Sequence, residues 1–224
     1  MYLISHKKKF IMCRVMKTGS TSFRESFARM PGVDLVADKA FGRHFSMAEI
    51  REAVGEETYS TYFKCALVRN PWARLVSYYV WSRKGGTPIS ELEPYDKFIE
   101  SIMPGFKDMV KGLDKIPYSM TSRIKGLFNI ETSLSEEALK KANIDTAISM
   151  PQYDFVKGAD FIGKLEDIKG AYNHICQTVS LPHVPLKQYN RSFIPSWKAF
   201  YDDKTRKIVE KHYAKDIKAF GYQF

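Results

Sequence analysis

The stretch from Tyr62 to Val68 is a nearly continuous apolar run, broken only by Lys64. A strand with no polar face belongs at the centre of a sheet covered on both sides. It ends at Arg69-Asn70-Pro71, where Asn70 suits a helix N-cap and Pro71 the first helical turn. The helix that follows is expected to run to about Trp81, with Trp72, Leu75, Val76 and Tyr79 facing inward. A buried strand that passes straight into a helix is the building step of a layered α/β fold.

The same step occurs twice more. Phe10 to Met16 reads as a short strand, followed by a polar loop and a helix from about Ser22 to Met30, with Ser22 and Glu25 as a capping box. Asp160 to Leu165 reads as a strand and Asp167 to Val179 as its helix. Ser46 with Glu49, and Ser133 with Glu136, mark the starts of two further helices, and Lys204 to Phe220 carries the last one. Residues 84–130 contain Gly85-Gly86, Pro104 and many long polar side chains. Tyr95 to Ile102 reads as helix within this stretch, which as a whole reads as a helical and loop insertion.

The loop of the first unit is Lys17-Thr18-Gly19-Ser20-Thr21-Ser22. A loop between a strand and a helix faces the unpaired amides and partial positive charge of the helix start, a ready anion site. Gly19 permits close backbone approach, Thr18, Ser20, Thr21 and Ser22 add hydroxyl donors, and Lys17 adds a full charge. The order differs from the ATP-type loop, in which lysine follows the last glycine. The later buried strand ends in Arg69, where an ATPase would place an aspartate for magnesium. A cation at that point suits a second anion. The fold expected is therefore α/β: a P-loop-like, three-layer arrangement with a mostly parallel sheet flanked by helices, forming one domain over residues 1–224.

At these two motifs the chain resembles a known family. Lys17-Thr18-Gly19-Ser20-Thr21-Ser22 is similar to the 5′-phosphosulfate loop of sulfotransferases that use 3′-phosphoadenylyl sulfate (PAPS). Val68-Arg69-Asn70-Pro71-Trp72-Ala73-Arg74-Leu75-Val76-Ser77-Tyr78-Tyr79 resembles their 3′-phosphate motif. The match is nearest to the carbohydrate-type branch, which includes the Golgi glycan enzymes and smaller bacterial relatives. Pro151-Gln152-Tyr153, Phe161-Ile162-Gly163-Lys164-Leu165-Glu166, Asn190-Arg191-Ser192 and the ending from Asp216 to Phe224 extend the likeness over nearly the whole chain. Met16 stands where many relatives have proline.

The resemblance implies in-line sulfuryl transfer from PAPS to an acceptor hydroxyl, on a glycan or a small molecule. It implies Lys17 to Ser22 at the 5′-phosphosulfate, Arg69 and Ser77 at the 3′-phosphate, and Arg191 in a loop closing over the nucleotide. It also implies a histidine base in the region of His44. Arg74 reads as a surface charge or a support behind the site, and Trp72 as core rather than an adenine platform. Of the five histidines, His174 and His212 fall in expected helices and read as structural. His6 lies in the basic N-terminal stretch and His183 in a loop. Glu166 is the second candidate for the base, while Gln152 and Tyr153 receive no role.

The formal net charge is +10, which favours a polyanionic ligand without choosing one. Two other readings stand beside the sulfotransferase: an ATP-dependent kinase of P-loop type, and a non-catalytic module for acidic polymers. The kinase would show magnesium-dependent ATP turnover. The module would show salt-dependent binding without nucleotide preference. Cys13, Cys65 and Cys176 lie in apolar segments without metal-type spacing and read as buried, reduced thiols. No metal, nucleic acid or membrane is expected as a partner, and the chain as given reads as cytoplasmic.

Overall fold

A computed structural model describes residues 2–37, 44–85, 87, 91–92, 94–114, 145–182, 184–187, 194 and 196–224. The chain divides into two compact units, Met1–Arg69 with Gln152–Arg191 and Asn70–Pro151 with Ser192–Phe224.

The first unit holds the sheet, which among the described residues has five strands: β1 (Tyr2–Ser5), β2 (Phe10–Cys13), β3 (Val36–Ala37), β4 (Phe63–Val68) and β5 (Phe161–Lys164). Their order across the sheet is β3-β1-β2-β4-β5. β2 and β4 run parallel with Cys13 opposite Ala66, and β4 and β5 run parallel with Val68 opposite Lys164. β1 is antiparallel to β2, with Ser5 opposite Phe10, and to β3, with Leu3 opposite Ala37. The sheet is thus mixed rather than mostly parallel. The cause is the short link from Ser5 to Phe10, which can only fold back as a hairpin because a parallel return needs a long crossover. Asp34 stabilises the turn by accepting from the Ser5 hydroxyl and from the Lys7 amide at 3.1 Å.

Side chains alternate across the sheet. Leu3, Phe10, Met12, Cys65 and Leu67 meet Phe23 and Phe27 of α1 (Ser20–Phe27). The same cluster takes in Tyr172, Ile175 and Cys176 of the helix after β5, Ile168–Thr178. Phe23 meets the Tyr172 ring edge-on at 5.3 Å. On the opposite face, the Cys13 thiol donates to the Phe45 carbonyl at 3.2 Å and to that of Phe155 at 3.7 Å. α2 (Met47–Val54) and a short helix, Gln152–Val156, lie on that side, and α3 (Glu56–Thr61) leads from α2 into β4. Helices flank both faces, as expected. Ser46 and Glu49 form the expected capping box on α2. The box expected at Ser22 and Glu25 does not form: α1 begins two residues earlier behind Gly19, and Glu25 pairs with Arg24. All three cysteines are buried and outside any disulfide.

The second unit is helical. α4 (Pro71–Arg83) starts as expected, with the Asn70 side chain accepting from the amides of Trp72 and Ala73. Every residue from Pro71 to Val80 is buried, Trp72 among them. Arg74 is therefore core rather than surface: its guanidinium donates to the carbonyls of Ala147, Ile148 and Met150 around α6 (Thr146–Ser149). Burial lowers its proton affinity, and Tyr213, Asp216 and Asp145 oppose that shift.

α5 (Tyr95–Leu113) runs straight through Pro104, where breakers were expected to end it. Phe106, Met109, Val110 and Leu113 form a buried stripe beyond the proline, and burying such a stripe outweighs the lost backbone bond. The expected final helix is two, Asp203–His212 and Ala214–Phe220, parted at Tyr213, whose hydroxyl is drawn to the Ile148 carbonyl at 2.6 Å. Numbered in chain order, Gln152–Val156 is α7, Ile168–Thr178 is α8, and this last pair is α9 and α10. The helix expected at Ser133–Ala142 and the rest of the insertion beyond residue 114 lie outside the described residues. No described helix is long and apolar enough to cross a membrane.

Candidate active site

β2, β4 and β5 are parallel, so their C-terminal ends open on one edge of the first unit, the usual place for a ligand crevice in such sheets. The loop from Lys17 to Ser22 leaves β2 there. Two of its residues are left-handed, Lys17 at φ 64° and Gly19 at φ 79°. Glycine suits position 19 on two counts: the backbone is left-handed, and an added Cβ would lie 2.6 Å from the end of the Leu165 side chain, which would have to shift. The Thr18 hydroxyl is buried and donates to the Val15 carbonyl at 2.9 Å. Thr18 thus braces the loop, and its hydroxyl proton is engaged inside it. Gly19 caps α1 without a side-chain hydrogen bond. The first-turn amides lie beside buried Ser20 and Ser22 and the partly exposed Thr21.

Arg69 follows β4 by one residue. Its guanidinium donates to the Lys17 carbonyl at 3.4 Å, across 52 residues of sequence. The backbone of Arg69 is held by Gln152, whose Oε1 accepts from the Arg69 amide at 2.8 Å and whose Nε2 donates to the Arg69 carbonyl at 2.7 Å. Sequence reasoning left Gln152 without a role. The signal available was its place in Pro151-Gln152-Tyr153, one of the segments that resemble the family.

His44 is buried, and its Nδ1 lies 2.6 Å from the Arg14 carbonyl at the root of the same loop. A carbonyl can only accept, so Nδ1 carries a proton, and in the neutral ring the lone pair is then on Nε2. Arg14 itself is a buried cation that sequence reasoning passed over. Burial and then the charge of Arg24 lower its proton affinity, while Glu25 opposes them. The strand end is therefore crowded with positive charge, an environment suited to an anion.

Glu166 lies in the exposed turn Leu165–Asp167 that follows β5, on the same strand edge. Ser77 is buried near the end of the second turn of α4, in the other unit. Arg191 and His183 lie outside the described residues. The histidines read as structural have partners of that kind: His174 stacks on Phe161 at 4.1 Å, and His212 Nε2 donates to the Ser149 carbonyl at 2.7 Å. Among the described residues no group of three His, Cys, Asp or Glu side chains stands close enough to hold a metal ion.

A family model described as the sulfotransferase family matches residues 1–223. No curated protein and no solved structure matches the chain. With the family model running from end to end, and with a cationic loop and an arginine joined at the strand edge, the chain belongs to the sulfotransferase family, enzymes that transfer a sulfuryl group.

Proposed function

We propose that this enzyme takes the sulfuryl group from PAPS and places it on an acceptor hydroxyl, with a carbohydrate as the acceptor class. The observation that carries the reading is the bond from the Arg69 guanidinium to the Lys17 carbonyl. It ties together two anion motifs far apart in sequence, and PAPS is a nucleotide with phosphate at both its 5′ and 3′ positions. Lys17 and the first-turn amides of α1 hold the 5′-phosphosulfate, with Ser20, Thr21 and Ser22 as hydroxyl donors. Arg69 and Ser77 take the 3′-phosphate, and Arg191 covers the nucleotide. We read the two units as one catalytic domain, because the family match spans both.

In the transfer, the acceptor oxygen forms a bond to sulfur as the bond from sulfur to the bridging oxygen breaks. The electron pair stays on the 5′-phosphate, where Lys17 and the loop amides stabilise the developing charge. His44 Nε2 accepts the proton of the acceptor hydroxyl. The bisphosphate product, 3′-phosphoadenosine 5′-phosphate (PAP), should bind more tightly than AMP by about 2–4 kcal/mol, the worth of charge-assisted bonds to the second phosphate. Calorimetry with the two nucleotides measures this, and equal affinities would sink the donor assignment. A screen of hydroxyl acceptors with labelled PAPS then tests the carbohydrate class.

A further inference from the structure

β4 makes its last ladder pairing at Val68, opposite Lys164. Arg69 is one residue past the sheet, and α4 starts beyond its Asn70 cap. The peptide groups of Arg69 therefore lie where no strand continues, and buried peptide groups need partners. Gln152 provides both of them, at 2.8 Å and 2.7 Å. In an extended residue the N–H and C=O point to the same side, and a primary amide offers acceptor and donor side by side. Gln152 thus acts as one added rung of the ladder, made by a side chain. Glutamate would lack the donor, and asparagine would be one carbon short.

The hold is rigid for physical reasons. Gln152 is 0% exposed, and it opens α7, which packs on β4. From the anchored peptide, the long arginine side chain reaches the Lys17 carbonyl. A binding group must stay within about 0.5 Å of its productive place to be useful. A mobile peptide at Arg69 would spread the guanidinium over a wider range than that.

We propose that Gln152 is a positioning residue for Arg69, and that through this amide-to-peptide pairing it sets the enzyme's affinity for the 3′-phosphate of the donor. The proposal rests on the reading of Arg69 as the 3′-phosphate ligand. Its mark is that the effect passes through the Arg69 side chain alone, whereas general destabilisation would affect every ligand.

The test is calorimetry of PAP and AMP binding to the wild type, Gln152→Met, Arg69→Ala and the double variant, with label transfer measured at saturating PAPS. Gln152→Met is expected to weaken PAP about tenfold and to leave AMP within about twofold. The KM for PAPS should rise while turnover at saturation holds. In the Arg69→Ala background, Gln152→Met should cost no further PAP affinity, because coupled residues are non-additive.

Gln152→Glu is the second variant. As a carboxylate it cannot donate to the Arg69 carbonyl, so it should show the same loss once the pH is high enough to ionise this buried group. The loss should shrink on acidification, as the protonated carboxyl regains a donor. A folded Gln152→Met that binds PAP like the wild type would overturn the proposal, as would equal losses for PAP and AMP, or a full further loss in the double variant. Should Gln152→Met fail to fold, a Gln152→Glu whose PAP affinity relative to the wild type ignores pH overturns it instead. A wild type that binds PAP no better than AMP overturns the donor reading itself, and this proposal with it.

Discussion

Lys17 holds a φ of 64°, a conformation that costs a residue with a Cβ about 1–2 kcal/mol. Such strain persists where the position of a side chain matters more than its stability. Lys17→Ala and Lys17→Gly should both lose orders of magnitude in turnover at saturating PAPS, since both remove the charge that we propose stabilises the leaving oxygen. Lys17→Gly should nevertheless melt higher than Lys17→Ala, because glycine relieves the strain. Label transfer and thermal melting separate the two effects. For His44 the tautomer is the argument. With Nδ1–H given to the Arg14 carbonyl, Nε2 is the nitrogen to which we assign the proton transfer. His44→Ala should lower turnover by roughly two to four orders of magnitude and bind PAP normally. The wild type should lose activity on acidification as the imidazole is protonated, and that acid limb should vanish in the variant. Wild-type turnover in His44→Ala would move the role of base to Glu166.

Among the elements, α5 shows how neighbours override a local signal. Next to Pro104, Gly105 leaves the space that the Tyr79 hydroxyl fills: a Cβ there would lie 2.5 Å from that oxygen. The hydroxyl in turn donates to the Ile102 carbonyl at 2.9 Å. Gly105→Ala should therefore destabilise the protein by about 1–3 kcal/mol, the range for overpacking, although alanine favours helix. In a Tyr79→Phe background the same change should cost less, since the obstructing oxygen is gone. Urea midpoints of the four proteins form the cycle, and an equal cost in both backgrounds would refute the contact. The helix starts were more legible. Ser46 and Asn70 cap α2 and α4 as their sequences indicate, because a cap bonds to amides only two or three residues away. At α1 the same rule pointed to Ser22 and missed, since the two left-handed residues of the loop begin the helix at Ser20.

For the molecule as a whole, stability should depend on pH through His212. Its pKa is lowered, first by burial, then by the charge of Arg74, while the bond to Ser149 and the charge of Asp114 oppose the shift. The folded state thus prefers the neutral ring. A group depressed in the fold contributes its stability above the unfolded value of about 6.5, and loses it as the pH falls through the folded value. Wild-type stability should drop below that point by more than that of His212→Gln. Urea unfolding at pH 7.5 and at about pH 5 measures the difference, and parallel losses in both proteins would reject the assignment.

The sequence alone determined what depends on near neighbours: the buried run of β4, the caps at Ser46 and Asn70, the polar loop from Lys17 to Ser22, and the cation that ends the central strand. Each is written in residues within a turn or a strand of one another, so local chemistry suffices to read it. Only the tertiary structure decided the β1–β2 hairpin, the passage of α5 through Pro104 and the burial of Arg74 beneath α6. It also decided the hold of Gln152 on Arg69 and the tether of His44 to Arg14. These depend on partners brought together by burial across 83 and 30 residues of chain for Gln152 and His44. A glutamine behind a proline reads the same in solvent as in a core, and only packing can engage both ends of its amide.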